Sequence, residues 1–368
     1  MNTGGGHRDV GFDVARAVFM VLGIVSHAAV IYREGEPWRV SSDQSHVVFT
    51  WITDFMRAFR MHAFFVIAGY FFATSIQRYG ANGALRARLV RLGVPLVFIG
   101  STANGVMNAL STYARLPDSV LDYVLQGAWL GPLWFIGNLI VYCASWALID
   151  GMLRRLPLPA EPRAVHLALA TAFVPVASAL LSALGNRVCS SVVVFVSFPQ
   201  LYEFAPFFAL GAFVQARRAW LVALVQPRRA WSVLVLALIA MQVATATGLE
   251  QRSYTLMLGV RQFMRLALAL AILGSFRGVT SPPRWVRRMT AAAYTVYVLH
   301  APVVVALYVT LEPLELGMAV TFSILCVVTA ITTLAIHERI VARSPLAEFL
   351  VNGARSRRNA KSAAVSAG

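Results

Sequence analysis

The chain has 368 residues, of which 58% are hydrophobic and only 13% charged, with 32 Lys and Arg against 16 Asp and Glu. A water-soluble domain carries about 25% charged residues, so this deficit excludes an ordinary cytosolic globule, a disordered chain and a disulfide scaffold. What remains is an integral membrane protein, whose long apolar runs are solvated by lipid.

The net charge of +16 would suit a nucleic-acid binder. Here the basic residues stand in short clusters between apolar runs, which positive-inside topology explains better, and no nucleic-acid partner is expected. Cys143, Cys189 and Cys326 are too few and too scattered for a disulfide framework. Histidines and carboxylates show no ligand spacing such as His-x3-His, so no metal site is expected. The first apolar run contains Arg16, follows Arg8, Asp9 and Asp13, and has no small-residue cleavage site after Val30-Ile31-Tyr32. It reads as an uncleaved span rather than a signal peptide.

A span needs about 20 mostly apolar residues. In chain order the candidates are 14–32, 55–77, 89–111, 132–153, 164–184, 199–216, 231–248, 255–276, 290–310 and 318–337. The expected fold is all-α and polytopic, with about ten transmembrane helices. The span at 199–216 is interrupted by Glu203 and Pro206, and that at 231–248 is short. No internal repeat is visible, so an inverted-repeat transporter design gains no support. With the N-terminus inside, 22 basic residues fall on the inner side of this scheme and five (Arg33, Arg39, Arg115, Arg187, Arg252) on the outer, the other five lying in spans. That asymmetry predicts both termini in the cytoplasm. The organisation expected is a membrane domain over 1–340 and a basic, disordered cytoplasmic tail over 341–368, ending in the run Arg355-Ser-Arg357-Arg358-Asn-Ala-Lys361.

Ionisable residues inside spans are costly and point to function. In span 1, Arg16 and His27 are 11 residues apart, about three turns plus roughly 20°, so they share a helix face about 16 Å apart along the axis. Span 2 opens with Arg57 and Arg60, an i, i+3 pair at the depth of His27; the plainer alternative is that both snorkel to the interface. The adjacent His62 is expected to be a packing histidine. Arg88 and Arg91 form another i, i+3 pair at the cytoplasmic mouth of span 3. Their planar forks suit phosphate oxygens, although positive-inside charge alone would also put them there. Glu203 in span 6 is a candidate counter-ion for the outer arginines. Arg261 and Arg265, one turn apart in span 8, need an anion, a cavity or carbonyl partners. Tyr294, Tyr297 and His300 step by three along span 9. This polar interior fits a proton-coupled transporter or an enzyme moving an acyl group across the membrane, and the residue pattern leaves both open.

Several segments resemble the membrane-bound acyltransferase 3 family. Arg16-x10-His27 looks like its first-span element, and Arg88-Leu-Val-Arg91 is similar to its cytoplasmic Arg-x-x-Arg element. Phe64-Phe65-Val-Ile-Ala-Gly69-Tyr70, Pro132-Leu-Trp134-Phe135 and Tyr294-Thr-Val-Tyr297-Val-Leu-His300-Ala-Pro302 resemble its signatures in spans 2, 4 and 9. The five occur in the family's order across residues 13–302. The stretch from Gly23 to Tyr70, with Phe59-Arg60-Met61, is most similar to the branch that succinylates periplasmic glucans. It departs at Ala68, where Ser is common, and at His62, where Gln is expected.

The resemblance implies a bacterial inner-membrane O-acyltransferase with no bound cofactor. Acyl-CoA, either succinyl-CoA or acetyl-CoA, would be the co-substrate on the cytoplasmic side, and a hydroxyl of a periplasmic or cell-surface glucan the acceptor. His27 would act as general base or accept the acyl group transiently. Arg16 would steady the thioester oxygen or a phosphate, and Arg88 with Arg91 would bind CoA phosphates. Arg57 with Arg60, or Arg261 with Arg265, would hold a succinyl carboxylate. Trp134 could stack on a sugar ring, and His300 and Glu203 would complete the acceptor side. The alternatives are an O-acetyltransferase of another surface polysaccharide and, in a different class, a transporter of an anion or lipid-linked sugar.

Overall fold

The computed structural model describes residues 10–35, 38–111, 117, 119–155 and 159–354. In chain order the helices are α1 (Val10–Ala29), α2 (Val47–Ser101), α3 (Ala103–Ala109), α4 (Val120–Leu125), α5 (Trp134–Leu153), α6 (Ala164–Val188), α7 (Phe198–Ala216), α8 (Arg218–Leu224), α9 (Pro227–Ala246), α10 (Leu249–Arg252), α11 (Tyr254–Ser275), α12 (Arg284–Leu311), α13 (Met318–Ile336) and α14 (Pro345–Asn352). A two-residue antiparallel hairpin, β1 (Val192–Val193) and β2 (Val196–Ser197), precedes α7. Asn138 of α5 pins it, donating to the Ser197 carbonyl at 2.9 Å and accepting from the Ser197 N–H at 2.9 Å. Proline sets several helix starts, as at Pro199, Pro227 and Pro345, where the missing N–H would be unpaired anyway.

Among the described residues, eight stretches are long and apolar enough to cross a bilayer: Val10–Tyr32, Val47–Ala109, Gly131–Leu153, Ala164–Val188, Pro227–Ala246, Tyr254–Ser275, Arg284–Leu314 and Met318–Val341. This count departs from the expected ten in two places. The expected spans 55–77 and 89–111 fall in one continuous stretch. A helix the length of α2 would run about 80 Å, far beyond the roughly 30 Å of hydrocarbon. Gly80 breaks it, with φ 69° and ψ 167°, a conformation open to glycine and closed to most side chains. The chain reverses there, because Ala68 and Phe71 before the break line one cavity with Arg88 and Leu92 after it. The other difference is α7, where Gln200, Glu203 and two prolines dilute the hydropathy. It is nonetheless a continuous helix over the expected 199–216.

Helix α7 lies against the first arm of α2 at very close range. A Cβ on Gly69 would run into the Phe208 carbonyl, and one on Gly211 into the Val66 carbonyl. Reciprocal glycines let two membrane helices pack backbone to backbone, which substitutes for the missing hydrophobic drive between helices in lipid. Around this crossing Phe65, Phe72, Phe204, Phe207 and Phe208 are buried, with Phe65 stacked on Phe204 at 4.9 Å. Helices α1 and α12 pack on the other side of α2 and carry the histidines described below.

The expectation of a disordered tail is corrected over 345–352. Pro345–Asn352 is a helix capped by Ser344, whose Oγ accepts from the Ala347 N–H. Thr295 of α12 donates to Asn352 Oδ1 at 2.9 Å, and Gly353, at φ +59°, abuts the backbone of Arg91. These residues carry an amphipathic face and a glycine terminator, signals that the strongly basic run beyond them obscures in the sequence. That run, Arg355 to Lys361, lies outside the described residues.

Candidate active site

Two cavities lie one above the other between α1, α2, α5 and α12. The outer one, of about 200 Å³, is lined by His27, Arg57, Arg60, Trp134, Tyr297 and His300 among others. The inner one, of about 80 Å³, is lined by Arg16, Arg88, Arg91 and Tyr294 among others. Met20, Phe64 and Phe135 line both, so three apolar side chains separate them. Phe64 meets Phe135 edge to face at 4.6 Å.

Helix geometry produces this division. The 11-residue spacing of Arg16 and His27 keeps both on one face of α1 and separates them by about 16 Å. The i, i+3 spacing brings Arg57 and Arg60 to the same outer cavity, and it brings Arg88 and Arg91 to the same inner one. Arg16 pairs with Asp13 at 3.3 Å and lies over the Phe71 ring at 5.5 Å. The inner cavity thus holds three guanidinium groups.

In the outer cavity the His27 ring stacks on Trp38 at 4.7 Å and 29°, and lies 5.0 Å from the ring of His300. His300 is 1% exposed. Its Nδ1 lies 2.6 Å from the Tyr297 carbonyl oxygen, so Nδ1 carries the proton and donates it. His300 Nε2 then offers a lone pair, and it is buried with no hydrogen-bond partner. Arg60 Nε is likewise buried and unpartnered. Both groups meet over Gly23, where a Cβ would sit 3.0 Å from Arg60 Nη1 and 3.1 Å from His300 Nε2. A Cβ there would press on both groups, so glycine lets the guanidinium and the imidazole approach α1 together without displacement. Tyr297 donates to the Pro132 carbonyl at 2.9 Å, tying α12 to the start of α5, and Trp134 of α5 stacks on Phe204 at 5.9 Å.

The expected roles of Glu203, Arg261 and Arg265 are corrected. Glu203 does not reach Arg57 or Arg60. Its Oε1 accepts from Arg265 Nη1 at 2.6 Å and Gln262 Nε2 at 3.1 Å, and lies 3.2 Å from His62 Nε2. Arg261 pairs with Glu250 at 2.7 Å. Among the described residues these side chains line neither cavity, because α7 turns its polar edge toward α11 and away from α1. Their charges are satisfied within the protein, so Arg261 and Arg265 leave the list of candidate carboxylate binders. His62 is buried as expected for packing, edge-on to Phe204 and Phe207, but it also belongs to this cluster. Trp38 and Met20 are among the lining residues that sequence reasoning missed; Met20 carries no signal beyond an apolar helix position. Trp38 lies between α1 and α2, where helical periodicity carries no information.

Buried arginine and histidine nitrogens without a partner in the outer cavity, above an arginine-lined inner one, are costly inside a membrane protein and mark a candidate site. The chain matches the model of the acyltransferase 3 family, described as an acyltransferase domain, over residues 9–338, and it belongs to that family. It is therefore a multi-pass membrane acyltransferase that transfers groups other than amino-acyl groups. Glucans biosynthesis protein C of Escherichia coli (strain K12) is 37% identical to it over 97 residues, which is 26% of this chain and 25% of that protein. Glucans biosynthesis protein C of Shigella dysenteriae serotype 1 (strain Sd197) is 36% identical over 97 residues, with the same coverage. The chain thus aligns with about a quarter of the length of these curated relatives. No solved structure matches it.

Proposed function

We propose that this protein is an O-acyltransferase of the bacterial inner membrane that moves a succinyl group from cytoplasmic succinyl-CoA to a hydroxyl of a periplasmic or cell-surface glucan. In this reading each arm of α2 and helix α7 also crosses the bilayer. That gives ten crossings, with both termini in the cytoplasm and the arginine-lined cavity facing the donor. Arg16, Arg88 and Arg91 bind the phosphates of CoA. The thioester reaches past Met20, Phe64 and Phe135 into the outer cavity, where His27 acts on it.

The observation that carries the succinyl preference is Arg60. Its Nε is buried without a partner beside His27 and His300. No carboxylate pairs with it among the described residues, although Arg16, Arg33, Arg154, Arg261, Arg265 and Arg288 each have one. A guanidinium with a buried, unpaired nitrogen is stabilised by an anion with two oxygens. The free carboxylate of a dicarboxylic acyl group supplies one, with Arg57 at the rim beside it. The partial similarity to glucans biosynthesis protein C supports a glucan acceptor, and Trp134 offers a ring face for a sugar.

The test is mild alkaline release of acids from the glycans of cells with and without this gene, identified by mass. Loss of succinate with unchanged glycan amount is expected. Loss of acetate instead would keep the mechanism and replace the donor. Loss of the glycan itself, with ester content per glycan unchanged, would favour a transporter and overturn the proposal.

A further inference from the structure

The outer cavity contains two histidines, and transfer through one imidazole leaves the second unused. Their surroundings differ. Among the described residues His27 makes ring contacts, with Trp38 on one side and His300 on the other, and neither of its ring nitrogens has a hydrogen bond. It is half-buried and reaches the cavity as a free imidazole. His300 is held from behind. The Tyr297 carbonyl fixes its Nδ1 proton, and Tyr297 is itself fixed through its hydroxyl to Pro132. This leaves Nε2 as a buried acceptor with no partner inside the protein. A buried acceptor without a partner costs stability unless a ligand donor fills it, and the donor that an acyl acceptor brings is its hydroxyl.

We propose that the two histidines divide the reaction, His27 carrying the acyl group and His300 acting as the base that deprotonates the acceptor hydroxyl. This assignment rests on the acyl-transfer reading above. In the first step a His27 ring nitrogen attacks the thioester carbonyl carbon and the C–S bond breaks. CoA leaves as thiolate and takes the proton from the other His27 nitrogen, giving free thiol and a neutral acyl-imidazole. In the second step the acceptor hydroxyl oxygen attacks the acyl carbon while its proton passes to His300 Nε2. The C–N bond breaks, and His27 recovers its proton from His300. Both imidazoles end neutral, and one thioester has become one ester. The ring separation of 5.0 Å suits the proton return, either by small ring rotation or through one water. A fixed orientation suits a base, and a free ring suits a group that must accept and release an acyl carbon.

The experiment uses the full-length protein in lipid nanodiscs with succinyl-CoA, a soluble glucan oligosaccharide and hydroxylamine, a nucleophile whose nitrogen lone pair needs no base. Without acceptor, wild type and His300→Gln should each release one thiol per protein and gain the mass of one succinyl group, while His27→Gln should do neither. With glucan, His300→Gln should turn over at least about 100-fold more slowly than wild type. With hydroxylamine it should turn over within a few-fold of wild type, a rescue that a merely structural role would not produce. Should His300→Gln fail to fold, the wild type serves alone: its glucan-dependent deacylation should slow in D2O about twofold more than its hydroxylamine-dependent deacylation. Full glucan transfer by His300→Gln, failure of hydroxylamine rescue, or equal D2O effects would overturn the role of His300. Glucan transfer by the wild type without any acyl-protein would overturn the division itself. A wild type that consumes no succinyl-CoA or acetyl-CoA and modifies no glucan would overturn the underlying acyl-transfer reading instead.

Discussion

At the smallest scale, the absence of a side chain at Gly23 lets two groups of the candidate site converge. Arg60 and His300 come from different helices and converge on α1 because nothing projects there. A methyl at this point would sit 3.0 Å from Arg60 Nη1 and 3.1 Å from His300 Nε2, tighter than ordinary contact, so one or both groups must shift. Neither lies at the end of an unconstrained chain: His300 is tethered to the Tyr297 carbonyl, and Arg60 has its Nε buried. The added volume is small enough for the helix to fold around, so Gly23→Ala should leave expression and thermal stability near wild type. Displacement of reacting groups by fractions of an ångström is expected to lower turnover by about 10- to 100-fold. Steady-state kinetics with succinyl-CoA would check this; because Arg60 is also the proposed binder of the succinyl carboxylate, KM for that donor should rise as well, while binding of CoA itself to the untouched inner arginines should stay nearly unchanged. Wild-type turnover in Gly23→Ala would mean that the convergence over Gly23 has no catalytic weight.

At the scale of elements, the C-terminal helix α14 braces the arginine pair of the inner cavity. Asn352 accepts from Thr295, which also lies 2.8 Å from His337 Nδ1, so α14 is tied to α12 and to the turn after α13. The next residue, Gly353, combines a left-handed φ of +59° with direct contact to the Arg91 backbone. A branched side chain would be strained by about 1–2 kcal/mol in that conformation and would also collide with α2. Gly353→Val should therefore release α14 from the second arm of α2 and loosen Arg88 and Arg91. The expected result is a five- to tenfold rise in KM for acyl-CoA, with kcat for bound donor nearly retained. Kinetics across donor concentration would check it, and an unchanged KM would show that the arm holds its arginines without the brace. The sequence revealed part of this arrangement. The spacing of Arg88 and Arg91, and of Arg57 and Arg60, was enough to predict that each pair lines one cavity, because helix periodicity brings i and i+3 to the same face. The docking of α14 could not be read, since it depends on which helix lies beneath Gly353.

Across the whole molecule, the apolar spans were legible because lipid imposes their length and composition on local sequence. The partnering of Glu203 was not, because a carboxylate in one helix has no sequence mark for the helix it faces, and α7 presents it to α11 instead of α2's outer arginines. What the assembled helices add is a stack: arginines below, histidines above, and three apolar side chains between. In the proposed reaction the CoA phosphates stay on the inner arginines, and the slender arm carries the acyl end across the apolar layer, where Arg60 compensates the desolvation of the succinyl carboxylate. Met20 is the adaptable member of that layer, being unbranched, 5% exposed and on the α1 face between Arg16 and His27. Met20→Trp would fill the passage with a rigid ring, while Met20→Ala would widen it. If donor and acceptor meet only by way of this passage, Met20→Trp should abolish acyl transfer from the long thioester by at least about 100-fold, the penalty of a misplaced reacting carbon. It should leave retention of CoA itself on the inner arginines within a few-fold of wild type. Paired measurements of CoA binding and of succinyl transfer on the same preparations would separate the two effects. Retained transfer in Met20→Trp would mean that the thioester enters the histidine cavity by another route.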